Sequence, residues 1–130
     1  MVSEKLKENI ENSENNIWDY IYSKYGELYS TKPSKSSKIF LSLYKDYLKD
    51  KEGKTIFIEL GCGYGRDLIH IYKNTNFYFY IGIDVSSFVN KMWKYTPDNL
   101  LTIKADLLKD TDLYKIKSLL SKYSSYNFVI

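Results

Sequence analysis

Three glycines at alternate positions are the residues whose type and spacing most clearly allow chemistry in this sequence. Gly61, Gly63 and Gly65 follow a short apolar run and precede a helical pattern, so the chain turns there from strand to helix. Glycine adopts positive φ and lets a ligand lie against the main chain without meeting a Cβ. Open α/β sheets bind ligands at such loops, beyond the carboxyl end of a strand. The spacing predicts a ligand-binding loop at residues 59–65, with an ordinary glycine-rich turn as the alternative.

A carboxylate follows at the end of the next predicted strand. Asp84 lies about 20 residues after the last glycine, the spacing at which a strand-end carboxylate reaches a nucleoside ribose. Such a group can accept hydrogen bonds from both ribose hydroxyls, and charge-assisted bonds are roughly twice as strong as neutral ones. The alternative is an aspartate that only begins a helix ahead of Ser86. We favour the ribose role because Asp84 also lies directly at the strand end.

A third acidic position recurs after the third predicted strand. Asp106 would lie beside the adenine end of a nucleoside held by the first two sites, where it could accept from the exocyclic amine. The alternative is that Asp106, Asp110 and Asp112 are solvated loop acids.

Arg66 bears on the choice of cofactor. A dinucleotide fingerprint would place glycine at this position, because a pyrophosphate closely approaches the helix N-terminus. S-adenosylmethionine has no phosphate and carries a cationic sulfonium, which benefits from acidic and aromatic neighbours such as Glu59 and Tyr64. The loop therefore favours S-adenosylmethionine over a dinucleotide.

Segments 58–67, 82–86 and 104–107 together resemble the signature of the class I S-adenosylmethionine-dependent methyltransferases, and the resemblance spans about residues 54–130. It implies that the glycine loop contacts the methionine part, that Asp84 binds the ribose, and that Asp106 with the backbone of Leu107 recognises adenine. It also implies that Glu59 orients the loop and the cofactor's amino group, directly or through water. The expected cofactor-binding residues are Glu59, Gly61, Cys62, Gly63, Tyr64, Gly65, Asp84, Val85, Asp106 and Leu107.

The upstream residues Trp18, Tyr22, Tyr25 and Pro33 resemble, more loosely, the N-terminal helical segment of small-molecule methyltransferases in this superfamily. By the same resemblance Trp18 and Tyr25 could cap the cofactor pocket, although aromatic residues at helical spacing are more often core. This likeness leads us to expect a small-molecule acceptor.

No catalytic residue can be named from the sequence. Cys62 is accompanied by no second thiol or histidine cluster, so neither a nucleophile nor a metal site is indicated. His70, the single histidine, falls within the helix after the loop, and we interpret it as structural. Methyl transfer needs a general base only if the acceptor must lose a proton, and the sequence indicates none.

Strand and helix patterns alternate along the chain from the glycine loop onward. The periodicity predicts strands at 55–60, 77–83, 100–103 and 126–130, helices at 17–25, 39–48, 67–73, 86–94 and 111–123, a loop at 29–37 and a mobile polar arm at 1–12. Alternation of this kind predicts an open, mainly parallel Rossmann-like α/β sheet with helices on both faces. Residues 13–130 are expected to form one methyltransferase-like cofactor-binding domain, with the fourth strand beside a central first strand.

Composition excludes several classes of protein. A net charge of +3, spread along the chain, does not indicate a nucleic-acid partner. No apolar run approaches the ~20 residues needed to span a bilayer, so no membrane association is expected. A single cysteine and a polar N-terminus favour a cytoplasmic location.

The predicted fourth strand stops at Ile130, and acceptor determinants in this superfamily lie largely at its end and beyond. We therefore expect an incomplete domain that binds the cofactor but does not transfer methyl groups alone, and that self-associates through an exposed sheet edge. The alternatives are a non-catalytic S-adenosylmethionine-binding fragment and a dinucleotide-binding domain.

Overall fold

The computed structural model describes residues 32–86, 89 and 96–130. Its elements are α1 (Lys35–Tyr47), a 3-10 helix (Lys49–Lys54), β1 (Thr55–Leu60), α2 (Arg66–Asn74), β2 (Phe79–Asp84), β3 (Leu100–Lys104), α3 (Asp110–Ser121) and β4 (Asn127–Val129). The predicted arm at 1–12, the predicted helix at 17–25 and most of the predicted helix at 86–94 lie outside the described residues. No helix in the described ranges is long and apolar enough to cross a membrane.

The strands form a four-stranded sheet in the order β3-β2-β1-β4. Every pairing between these strands is parallel, with Ile58 opposite Ile81 and Ile56 opposite Phe128. The open parallel α/β sheet and the central position of β1, both predicted from the sequence, are confirmed. Because all four strands point the same way, their carboxyl ends meet at one edge, which we call the carboxyl edge.

Alternate side chains of the central strands enter two separate apolar cores. Phe57 and Tyr80 pack on one face with residues of α1 and α2, including Tyr44 and Leu68. The other core is built mainly from isoleucines and includes Ile116, the buried residue of α3. Its buried members are Ile56, Ile58, Ile81, Ile83, Ala105 and Ile116. Helices therefore cover both faces of the sheet, as the sequence predicted.

Two predicted boundaries were wrong, each for a local reason. The loop predicted to reach Ser37 ends earlier, because the Ser34 side chain accepts a hydrogen bond from the Ser37 amide at 3.2 Å and caps a helix that begins at Lys35. The strand predicted from Phe77 begins two residues later. The Phe77 amide donates instead to the hydroxyl of Tyr80 at 2.9 Å, so it is not available to a neighbouring strand.

The apolar positions that predicted α1 are not all on its packed side. Tyr44 is 4% exposed and lies in the core, whereas Ile39, Leu43 and Tyr47 are 53%, 49% and 69% exposed. The packed face of this helix is therefore narrower than its apolar pattern indicates.

Candidate functional site

The glycine loop connects β1 to α2 through three residues with positive φ. The φ angles of Gly61, Gly63 and Gly65 are 72°, 57° and 96°. Residues with a Cβ rarely adopt these values, so the turn requires glycine. The amides of Gly61 and Cys62 both donate to the Ile83 carbonyl, at 2.7 and 3.2 Å, which holds the start of the loop against the end of β2.

Asp84 ends β2 and fastens the same loop through its side chain. One carboxylate oxygen accepts from the Gly63 amide at 2.8 Å, and the other accepts from the Ser86 amide at 2.9 Å. The second bond is the contact that the helix-start interpretation of Asp84 requires. The first was not anticipated. Because each carboxylate oxygen can accept more than one hydrogen bond, both keep acceptor capacity for a ligand.

Asp106 follows β3 in a turn that is also held by carboxylates. Its Oδ1 accepts from the Leu108 amide at 3.0 Å, and its own amide donates to Asp112 Oδ2 at 2.9 Å. Asp112 therefore has a structural contact at the start of α3, while the amide of Leu107, between the two bonded amides, has no hydrogen-bond partner among the described residues. The turn presents one main-chain donor and one carboxylate side by side.

These groups line one open cavity of about 310 Å³ at the carboxyl edge, which we call the β2–β3 cavity. Its walls are Gly61, Ile83, Asp84, Val85, Ala105, Asp106, Leu107 and Leu108. Five of the ten residues predicted to bind cofactor therefore lie around one space: Gly61, Asp84, Val85, Asp106 and Leu107. Sequence reasoning did not include Ile83, Ala105 or Leu108, because these residues are apolar and carry no polar signal.

Glu59 lies on the opposite side of β1, in a second cavity of about 400 Å³ that we call the β1–α1 cavity. Its Oε2 is buried and has no hydrogen-bond partner in the described part of the chain. Burial and the nearby charge of Asp67 raise the pKa of Glu59 to about 7, with Arg66 opposing the shift and Asp84 adding to it. The carboxyl group is thus poised to change its charge near neutral pH.

Cys62 was predicted to contact the cofactor, but its side chain is 5% exposed and points into the protein. Burial raises the pKa of its thiol, and the carboxyl groups of Glu59 and Asp84 raise it further, so the thiol is a poor nucleophile. Only its backbone is in the loop that faces the site. Tyr64 and Gly65 complete that loop without lining either cavity.

Sequence reasoning missed the role of Gly82, which allows the glycine loop and α2 to pack closely on β2. A Cβ added there would lie 2.6 Å from Leu68 Cδ2 and 2.9 Å from Cys62 Sγ. The missing side chain thus lets α2 and the glycine loop pack directly on β2. A glycine in the middle of a strand is the sequence signal of such a close approach.

A second unforeseen contact joins α1 to α2. Asp67 accepts from the Ser34 amide at 2.8 Å and from the Ser34 hydroxyl at 2.7 Å, across 33 residues of sequence. Arg66 approaches the same carboxylate at 4.0 Å. His70, about one turn further along α2, accepts a hydrogen bond at its backbone carbonyl from the Asn74 side chain and lies outside both cavities.

No protein-family model matches the chain, and a search of the curated proteins returned no similar sequence at a significant level. Within residues 32–86, 89 and 96–130, no group of three or more histidine, cysteine, aspartate or glutamate residues is arranged to hold a metal ion.

Proposed function

We propose that this chain is the cofactor-binding part of a class I S-adenosylmethionine-dependent methyltransferase that acts on a small-molecule acceptor. The observation that carries the proposal is the β2–β3 cavity, where Gly61, Asp84 and Asp106 converge from three consecutive strand ends. Open parallel sheets bind nucleosides at this position.

The residues around this cavity have the chemistry that a nucleoside requires. Asp84, fixed by two main-chain amides, retains acceptor capacity for two ribose hydroxyls. The Leu107 amide and the Asp106 carboxylate supply a donor and an acceptor for the edge of adenine. Val85 and Leu107 provide apolar surface for its faces. A donor, acceptors and apolar walls in one cleft are typical of small-ligand sites.

The charge of the loop region supports a cationic cofactor over a dinucleotide. Glu59 and Asp84 lie on either side of the glycine loop, and Arg66 occupies the first position of α2, where a pyrophosphate would need close approach. When bound, S-adenosylmethionine supplies a methyl group that its sulfonium has already activated. The protein's part is then to bind, orient and exclude water.

Calorimetric titration with S-adenosylhomocysteine, adenosine and NAD tests the proposal. S-adenosylhomocysteine should bind, adenosine should bind more weakly, and NAD should give no heat. Asp84→Ala should weaken S-adenosylhomocysteine binding by about 1.5–3 kcal/mol, the range for a hydrogen bond to a charged group. His70→Ala, in the same helix-loop unit but outside the cavity, should leave it unchanged.

The Asp84 variant also loses two contacts within the loop, so Asp84→Asn is measured beside it. Asparagine keeps the shape and one acceptor oxygen, so it retains one of the two main-chain bonds. Its thermal unfolding should lie between those of Asp84→Ala and the unmodified chain, while binding is weakened. Heat with NAD, and none with S-adenosylhomocysteine or adenosine, would refute the proposal. Equal losses in Asp84→Ala and His70→Ala would refute the assignment of the cavity.

A further inference from the structure

The turn that follows β3 offers a single main-chain donor to the β2–β3 cavity, because the amides on either side of that donor are already bonded. The Asp106 amide donates to Asp112 Oδ2 at 2.9 Å, and the Leu108 amide donates to Asp106 Oδ1 at 3.0 Å. The Leu107 amide between them has no hydrogen-bond partner among the described residues. The bond to Asp112 is therefore one of the two that leave only this amide for a ligand.

Asp112 reaches this turn from a different element. It lies in the first turn of α3, where Asp110 is the other acidic residue. An acidic side chain in the first turn of a helix commonly bonds main-chain amides at the start of its own helix. Asp112 instead accepts from the amide of Asp106, six residues back along the chain and outside the helix. The carboxylate therefore links a regular helix to the turn at the cavity.

The apolar core fixes the position of α3 and therefore that of Asp112. Residues four apart lie on the same face of a helix, so Asp112 and Ile116 face the same way. Ile116 is 7% exposed and lies in the same core cluster as Ile81, Ile83 and Ala105. Ile83 and Ala105 also line the β2–β3 cavity. The carboxylate is thus held by the same packing that forms a wall of the cavity.

The number of free donors in this turn matters for the choice of base. The hydrogen-bonding edge of adenine has an acceptor ring nitrogen and a donor exocyclic amine, whereas hypoxanthine, the base of inosine, has a donor ring nitrogen and an acceptor oxygen. One free donor at Leu107 beside one carboxylate at Asp106 fits adenine and opposes hypoxanthine. If the Asp106 amide were free as well, it could donate to the hypoxanthine oxygen, and the two bases would be distinguished less well.

We propose that Asp112 is a positioning residue that sets the base specificity of the β2–β3 cavity, because its bond to the Asp106 amide leaves only the Leu107 amide and the Asp106 carboxylate to meet the base. This inference rests on the proposed function. Asp112 lines neither the β2–β3 cavity nor the β1–α1 cavity, so it acts on the base through the turn and not by contact.

Calorimetric titration of the full chain with S-adenosylhomocysteine and S-inosylhomocysteine tests the inference. The unmodified chain should bind the adenine compound about a hundredfold more tightly, because inosine leaves a buried donor and a charged acceptor unpaired. In Asp112→Ala this preference should fall to about tenfold, since the turn then has a second free amide. Asp112→Asn keeps the shape and an uncharged acceptor, so its preference should fall between those of the other two chains.

Two control variants separate positioning from charge and from stability. Asp110→Ala removes the same charge from the same turn of α3 at an exposed position, and it should leave the base preference unchanged. Ser34→Ala removes two hydrogen bonds between and within α1 and α2, away from the turn after β3. It should lower the stability of the chain without changing the ratio of the two affinities, because a purely structural loss affects both ligands equally.

Amide hydrogen exchange followed by NMR reports on the proposed bond directly. The Asp106 amide should exchange at least about tenfold faster in Asp112→Ala than in the unmodified chain, and at an unchanged rate in Asp110→Ala. An unchanged base preference in either Asp112 variant would overturn the inference and leave the proposed function intact, as would an equal loss of preference in Asp110→Ala or Ser34→Ala. If S-adenosylhomocysteine fails to bind the unmodified chain, the proposed function falls and the role of Asp112 falls with it.

Discussion

The two cavities at the carboxyl edge differ in how their acidic groups are held. In the β2–β3 cavity, main-chain amides fix both oxygens of Asp84 and one oxygen of Asp106. In the β1–α1 cavity, Glu59 Oε2 has no such partner among the described residues. The first cavity is therefore arranged before any ligand arrives, whereas the second contains a group that only a ligand, or a proton, would satisfy.

The two cavities should therefore differ in how ligand binding is related to the stability of the free protein. A carboxylate that already accepts main-chain hydrogen bonds is oriented before a ligand arrives, so little free energy is needed to organise it. An unpartnered buried carboxylate lowers the stability of the free protein and repays that loss when a cation binds. Stability and ligand affinity should thus be opposed in the β1–α1 cavity and largely independent in the β2–β3 cavity.

The largest expected effect is on the packing that supports both cavities. In Gly82→Ala the new Cβ would lie 2.6 Å from Leu68 Cδ2, and Leu68 is fully buried and cannot move aside. We expect a loss of about 3 kcal/mol in the free energy of unfolding, at the upper end for overpacked cores. Urea denaturation measures it.

Gly53→Ala is the matched control for this substitution. Nothing lies within 4 Å of a Cβ added at Gly53, so its unfolding should change little. Similar stabilities for the two alanine variants would show that α2 and the loop do not pack on β2 as closely as the contact distances indicate.

The next effect concerns the unsatisfied carboxylate. The pKa of Glu59 is raised from 4.5 to about 7, so between these values the folded chain binds more protons than the unfolded one. Its contribution to stability therefore falls as the pH rises from about 4.5 to 7 and stays low above that range. Glu59→Gln should stabilise the free protein at pH 8 by about 2 kcal/mol, less than the full shift would give because the side chain is partly exposed.

At pH 4.5 the same variant should be about as stable as the unmodified chain, because both then carry a neutral group at this position. Urea denaturation at the two pH values measures the difference, with Asp98→Asn as a control at an exposed position. A stabilisation that is equal at both pH values would indicate a change of packing instead of the removal of a buried charge.

The parts of the fold that follow from local pattern were predicted well. The bounds of β1 were predicted without error, since a continuous apolar run closed by a glycine has few alternatives. The central position of β1 beside β4 was expected from the usual strand order of the fold that the sequence resembles, and it is confirmed. The convergence of Gly61, Asp84 and Asp106 follows from the parallel direction of the strands. The start of β2 was missed because the Tyr80 hydroxyl, which also contacts the Thr75 hydroxyl just after α2, accepts a hydrogen bond from the Phe77 amide.

The parts of the site that depend on three-dimensional neighbours could not be predicted. The sequence places Glu59 beside the glycine loop, but its position in a separate cavity without a partner depends on how α1 and α2 cover the sheet. The contact of Ser34 with Asp67 joins residues 33 apart and has no local signal. The apolar period of α1 likewise does not tell which of its residues face solvent.

The smallest expected effect tests the wall of the β1–α1 cavity. The Ser34 hydroxyl accepts from the Ser37 amide at the start of α1 and donates to Asp67 Oδ2 in α2. Ser34→Ala removes both bonds and should lower the free energy of unfolding by about 1 kcal/mol, as for other helix caps. Ser34→Thr keeps the hydroxyl and should recover most of the loss.

Ser42→Ala is the control, because Ser42 is exposed in the middle of α1, where alanine is the better helix former and stability should rise by up to about 0.5 kcal/mol. Urea denaturation of Ser34→Ala, Ser34→Thr and Ser42→Ala measures these differences. Equal stabilities of Ser34→Ala and Ser42→Ala would mean that the Ser34 hydroxyl does not fasten α1 to α2, and the wall of the β1–α1 cavity would then depend on apolar packing alone.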